Sequence, residues 1–157
     1  IIADFDIISE SNLNRQFYFI HQVGLRKAPT LKENIAMVNP VVKVTAFDEK
    51  ITGDNIERLF QPCDIVVEAF DLASEKQMLI EEMNSQLPDV PLVSGLGMAG
   101  YGNSNAIRCR QWEGLYLCGD GVTEIGDDCP PMAPRVGMVA NMQANVVVAI
   151  LMGEKGV

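Results

Sequence analysis

The densest chemistry in this sequence lies near its start, in Asp4-Phe5-Asp6-Ile7-Ile8-Ser9-Glu10-Ser11-Asn12-Leu13-Asn14-Arg15-Gln16. Ionised carboxylates only accept hydrogen bonds, so an acid at the end of a strand in a nucleotide-binding sheet suits the two hydroxyls of a ribose. Asp4 and Asp6 stand two residues apart and share one face of an extended chain. The alternative for such acids is to cap the turn that follows. Arg15 follows the polar run, and Lys27 follows Val23-Gly24-Leu25-Arg26. One forked guanidinium and one compact ammonium make a workable phosphate clamp. The alternative is a solvated surface pair, with Arg26 a rival to Lys27. Asp71 closes Val66-Val67-Glu68-Ala69-Phe70-Asp71. A carboxylate there is expected to hold Mg2+ beside phosphate oxygens, to cap the next helix, or both.

Other chemical signals are weaker. Gly95-Leu96-Gly97-Met98-Ala99-Gly100 matches G-x-G-x-x-G literally, yet Gly, Tyr and Asn follow it instead of an amphipathic helix. A dinucleotide fingerprint needs that helix N-terminus for the pyrophosphate, so the segment reads as a glycine-rich turn into a hairpin. Cys129 precedes the last helix, where a thiol can become nucleophilic, but an inert loop cysteine is the simpler reading. His21 is the single histidine and sits among aromatics, which fits a structural role. The methionines of the last helix read as core or contact residues. Cys63, Cys109, Cys118 and Cys129 show no C-x-x-C spacing, so free cytoplasmic thiols are expected and structural zinc is not.

These residues need elements to position them. Ile1–Phe5, Val42–Phe47, Asp64–Phe70 and Pro91–Ser94 read as strands. Ile7–His21 reads as a loop with a helical turn. Helices are expected at Ala28–Asn39, on a stripe of Ala28, Leu31, Ile35 and Val38, at Thr52–Leu59 with Thr52 as cap, and at Ser74–Leu87. Asn105–Arg110 and Gly114–Cys118 read as an antiparallel hairpin. A last helix from Pro134 to about Met152 carries Val139, Met142, Val146 and Ile150 and ends at Gly153. The alternation predicts an α/β fold: a Rossmann-like, mostly parallel sheet with helices on both faces, plus a C-terminal antiparallel hairpin and helix. Ligands of such sheets bind beyond the carboxyl ends of the strands, where Asp4, Asp6, Asp71, Ser94 and Gly95 are expected to converge.

The composition sets bounds. With 157 residues and 48% hydrophobic content the chain builds a real core, and one domain is expected. The net charge of −9 argues against a broad nucleic-acid face. No apolar run approaches the ~18 residues needed to cross a bilayer.

In order along the chain, Asp4-Phe5-Asp6, Ser11-Asn12-Leu13-Asn14-Arg15-Gln16, Val23-Gly24 with Lys27, Asn39-Pro40, Asp64–Asp71, Pro91–Gly95 and Met132-Ala133-Pro134-Arg135-Val136-Gly137 resemble the ThiF/MoeB family. Its members are ATP-dependent activators of ubiquitin-like sulfur carrier proteins, and the nearest look is the shorter ThiF type of thiamine biosynthesis. The resemblance implies ATP and Mg2+ as cofactors. It implies a nucleotide set of Asp4, Asp6, Ser11, Asn12, Asn14, Arg15 and Lys27, with ribose at Asp4 and phosphates at Asn12, Arg15 and Lys27. It implies Mg2+ at Asp71, and Arg15, Lys27 and Asp71 as the residues acting on the reacting groups. The carrier's C-terminal glycine would be adenylylated with loss of pyrophosphate, in a cytoplasmic homodimer.

Departures from the family pattern shape the remaining expectations. The glycine-rich phosphate loop and first strand of the family would lie upstream of Ile1, so residues 1–157 are read as one ThiF/MoeB-type nucleotide-binding domain without them. Leu72 stands where the family often has Asn. The family's sulfur-transfer cysteine is not carried onto Cys129. Two rival readings stand: a non-catalytic carrier-binding module or inactive half of a two-part activator, and an NAD-dependent dehydrogenase.

Overall fold

The computed structural model describes residues 1–154. The chain divides into two compact units, Ile1–Thr52 and a second that begins at Gly53.

In the first unit, β1 (Ile2–Ala3) pairs in parallel with β2 (Ala46–Phe47). Backbone bonds from Ile2 N–H to Thr45 O (2.9 Å) and from Asp4 N–H to Phe47 O (3.1 Å) fix the register. The connection between them carries α1 (Lys27–Val38), the crossover that parallel strands require. The expected strand at Val42–Phe47 is confined to its last two residues. Asn39 closes a turn instead, accepting from Val41 N–H through Oδ1 (3.2 Å) and from Val42 N–H through its carbonyl (3.3 Å), as Asn does after a helix. The α1 stripe also shifts. Lys27, Ala28, Thr30 and Asn34 are its buried residues, while Val38 is exposed. Asn34 is accommodated there by a reciprocal amide pair with Gln22 (2.6 and 3.1 Å) and a bond to Phe17 O (3.0 Å), so its polar atoms cost little to bury.

The second unit holds a four-stranded sheet in the order β3-β4-β6-β5: β3 (Val66–Glu68), β4 (Leu92–Gly95), β5 (Arg108–Trp112) and β6 (Leu115–Gly119). The first three are parallel and β5 runs antiparallel at one edge. The central strand β4 is buried at every residue, as its unalternating Leu-Val-Ser-Gly predicts. Helices α2 (Ile56–Phe60), α3 (Ala73–Gln86) and α4 (Ala133–Leu151) complete the unit. Val93, Ile107, Cys118, Val139 and Val146 form the core, with Met142 and Ile150 packed against it. The α4 reading holds: Pro134 sits in its first turn, and Gly153 follows in the left-handed region at φ 75°. Two starts differ. Gly53, Asp54 and Asn55 make a turn, so α2 begins at Ile56. Asn103 turns left-handed (φ 46°) and a 3₁₀ turn spans Ser104–Ala106, so β5 begins at Arg108. The fold class is α/β with a parallel-dominated sheet and the expected hairpin.

Candidate functional site

Asp4 and Asp6 leave the carboxyl end of β1, and α1 begins at Lys27. Lys27 N–H donates to Asp6 O (2.9 Å), which seats the start of the helix against the strand exit. The Lys27 ammonium then lies 2.7 Å from Asp6 Oδ2 and 4.0 Å from Asp4 Oδ2. Its side chain is only 10% exposed, whereas those of Asp4 and Asp6 are 36% and 51% exposed. A largely buried cation is thus covered from the solvent side by two more exposed carboxylates. Asp4 also accepts from Asp6 N–H (2.8 Å), so the turn-capping role and the cluster coexist. Burial, and then the Asp4 charge, push the Tyr18 phenol up to about 12, and its hydroxyl donates to Lys27 O (3.3 Å).

Arg26 takes a different place. Its guanidinium donates to Phe5 O (2.6 Å) and meets Asp48 at 3.3 Å, which ties the strand exit to the helix start. Arg15 closes the turn of residues 13–15 that follows the 3₁₀ helix Glu10–Asn12. Asn12 Oδ1 accepts from Ser9 N–H (3.0 Å), Ser9 and Ser11 hydroxyls bond at 2.8 Å, and Arg15 donates to Ser11 O (3.0 Å) and Asn14 Oδ1 (2.9 Å). The polar string Ser11, Asn12, Asn14 and Arg15 is therefore a self-braced turn. His21 stacks on Phe19 with ring centroids 5.8 Å apart, a structural use.

In the second unit, Asp71 leaves the carboxyl end of β3, exposed and without a side-chain partner among the described residues. What places it is a residue the sequence reading passed over. The Glu68 carboxylate, 0% exposed, receives Lys76 Nζ at 2.8 and 3.0 Å, the Ser94 hydroxyl and the Phe70 N–H. Lys76 also donates to Gly95 O (3.0 Å), and Gln143 donates to Glu68 O (3.2 Å). One buried charge pair thereby locks the exit of β3 to α3, β4 and α4. A carboxylate inside an apolar Val-Val-Glu-Ala run, with a lysine eight residues on, was the available signal. A second network was missed as well. Asp120 accepts from Val122 N–H (2.8 Å), Thr123 N–H (2.9 Å) and the Thr123 hydroxyl, and pairs with Arg135. Burial pushes the Asp120 carboxyl up, but these hydrogen bonds and the guanidinium outweigh it and hold it at about 2. Arg135, in the first turn of α4, also donates to Gly102 O.

The glycine string confirms its reading as a turn. Gly97 is left-handed (φ 79°), and a Cβ there would come within 1.9 Å of Asp120 Oδ1. At Gly119 (φ 135°) a Cβ would meet Leu96 O at 1.8 Å. Glycine serves here to let the β4 exit close on the β6 exit, a packing use.

The sequence profile of the ThiF family matches residues 1–157. The chain belongs to the ThiF family. Among its relatives, the adenylyltransferase and sulfurtransferase MOCS3 of Dictyostelium discoideum is 27% identical over 98% of this chain and 37% of its own length. The sulfur carrier protein ThiS adenylyltransferase of Escherichia coli is 25% identical over 98% of this chain and 62% of its own. The chain thus spans from just over a third to three fifths of these ThiF relatives. In fold it is similar to the E. coli tRNA N6-threonylcarbamoyladenosine dehydratase TcdA solved with AMP, at TM-score 0.84, 19% identity, 96% of this chain and 74% of that one.

Proposed function

We propose that this ThiF-family chain carries the nucleotide-binding part of an enzyme that adenylylates the C-terminal glycine of a ubiquitin-like sulfur carrier protein. The observation that carries the reading is the cluster of Asp4, Asp6 and Lys27 at the carboxyl end of a parallel strand. Relatives named as adenylyltransferases of such carriers support the reaction class.

In this reading Asp4 and Asp6 accept the ribose hydroxyls through their carboxylate oxygens. Lys27, already oriented by both acids, neutralises phosphate together with Arg15 and the amides of Asn12 and Asn14, and Ser11 contributes its hydroxyl. The carrier carboxylate attacks the α-phosphorus, the bond to the bridging oxygen breaks, and pyrophosphate leaves with its electron pair. The residues accelerate this by position and charge neutralisation, with no covalent step of their own. Asp71 is read as the Mg2+ residue. Among the described residues no three His, Cys, Asp or Glu side chains gather as a metal cage. One exposed carboxylate beside phosphate oxygens is nevertheless a donor set that Mg2+ accepts. When bound, the ion offsets charge on the pyrophosphate.

The finer reading is a thiamine-type carrier, supported by the likeness to ThiS adenylyltransferase, and a homodimer acting in the cytoplasm. Among the described residues no helix is long and apolar enough to cross a membrane. The test is ATP–pyrophosphate exchange by the full-length protein with ubiquitin-like carriers. Carrier-dependent exchange is expected, lost when the carrier's last glycine is removed. Normal ATP binding with no carrier-dependent exchange rejects the enzymatic reading and favours a binding module.

A further inference from the structure

We propose that Cys109 and Cys118 are the two halves of a reversible disulfide that joins β5 to β6, formed by exchange with a low-molecular-weight disulfide. The two residues are direct partners in the antiparallel ladder. Their kind of pairing follows from the hairpin. Glu113 and Gly114 form a two-residue turn, so Trp112 and Leu115 are the hydrogen-bonded pair that closes it. Bonded and open pairs alternate along an antiparallel ladder, which makes Gln111/Tyr116 open, Arg110/Leu117 bonded and Cys109/Cys118 open. The neighbouring strand agrees: Cys118 O accepts from Leu96 N–H (2.8 Å), so its backbone bonds away from β5.

An open pair brings Cα atoms to about 4.5 Å with the side chains at their closest. That lies within the ~4.4–6.8 Å span a disulfide bridges without moving backbone. Both side chains face the core beneath α4, Cys118 fully buried in it and Cys109 packed against it. All four cysteines are free thiols.

The asymmetry sets the order of events. Burial first, then the adjacent Cys109 thiol, push Cys118 up to about 12. Cys109 is half-buried on the edge strand and is the less buried of the two. With glutathione disulfide, the Cys109 thiolate attacks one sulfur and one glutathione thiolate leaves, giving a mixed disulfide. Cys118 then gives up its proton and attacks the Cys109 sulfur, expelling the second glutathione thiolate. Two protein thiols are oxidised and one disulfide is reduced to two thiols. The short reach of the second step favours ring closure over a lasting adduct.

The test exposes the full chain to glutathione disulfide, quenches with acid, alkylates, and maps peptides without reduction using a glutamate-specific protease. Cleavage after Glu82, Glu113 and Glu124 separates the two cysteines into Met83–Glu113 and Gly114–Glu124. The expected result is a loss of two hydrogens from the intact mass, these two peptides linked, and Cys63 and Cys129 outside the link. Reduced dithiothreitol reverses it. Cys109→Ser abolishes the link, and because Cys109 is only half-buried this variant keeps the core that Cys118→Ala would open. A stable glutathione adduct on Cys109, a link to Cys63 or Cys129, or alkylation of both Cys109 and Cys118 after exposure would overturn the proposal.

Discussion

Replacing Lys27 by Met removes the cation paired with Asp4 and Asp6 while keeping the length of its buried stem. The Lys27 ammonium is 2.7 Å from Asp6 and 4.0 Å from Asp4 with a side chain 10% exposed, so solvent screens it little. A hydrogen bond from such a cation to a phosphate is worth about 1.5–3 kcal/mol. Its loss corresponds to a rise in the ATP dissociation constant of roughly 10- to 150-fold. Two carboxylates no longer offset by the Lys27 charge push toward the upper end. Adenosine has the ribose but no phosphate, so its affinity should change by no more than about twofold, well under 1 kcal/mol. Calorimetric titration of the full-length protein with both ligands gives the comparison, and circular dichroism checks the fold. Asp6 is 51% exposed and stays hydrated without its partner, so folding should survive. Equal losses for adenosine and ATP would reduce Lys27 to a structural tie. An unchanged ATP affinity would refute the phosphate role outright.

Asp71→Asn should raise the Mg2+ concentration needed for half-maximal pyrophosphate exchange by roughly tenfold, about 1.4 kcal/mol, and leave nucleotide affinity without metal unchanged; an unaltered Mg2+ curve removes Asp71 from the site. Arg135→Met breaks a pair whose side chains are 5% and 4% exposed, at a cost of about 3 kcal/mol because Asp120 keeps its other hydrogen bonds. Thermal unfolding should show a midpoint lower by roughly 6–12 °C, and the double variant with Asp120→Asn should recover part of it. Asp120 sits at about 2 when folded, against about 3.9 for a free carboxyl. Its contribution is complete above pH ~4 and is lost as pH falls from about 4 to about 2, so Asp120→Asn should flatten that acid limb in urea titrations.

Element types were largely legible from the sequence because they rest on periodicity. Of the stripe Leu79, Ile80, Met83 and Leu87, all but the half-buried Ile80 are buried, and of Val139, Met142, Val146 and Ile150 the two valines are buried and the other two half-buried. Boundaries moved at Asn39, whose side chain bonds the backbone two residues on, and at Asn103, whose backbone turns left-handed. Asp4, Asp6 and Lys27 were legible as members of one nucleotide set only through the family resemblance, and their pairing with one another, in place of a Lys27–Arg15 clamp, was not. The α1 face was misread because Asn34 is buried against Gln22 and Phe17, partners distant in sequence that no stripe reveals. Glu68–Lys76 and Asp120–Arg135 were missed because each joins a strand exit to a helix, a contact that neither strand nor helix periodicity reveals.

The tight seam at Gly97 and Gly119 bears on how any mutational scan of this protein is interpreted. A methyl group at Gly97 collides with a carboxylate already committed to three donors and a guanidinium, and one at Gly119 collides with main chain. Inactive variants at these positions would imitate a phosphate-loop phenotype while reporting only that two loops no longer mesh. Separating the two takes a soluble-yield or melting measurement beside every activity score in the segment.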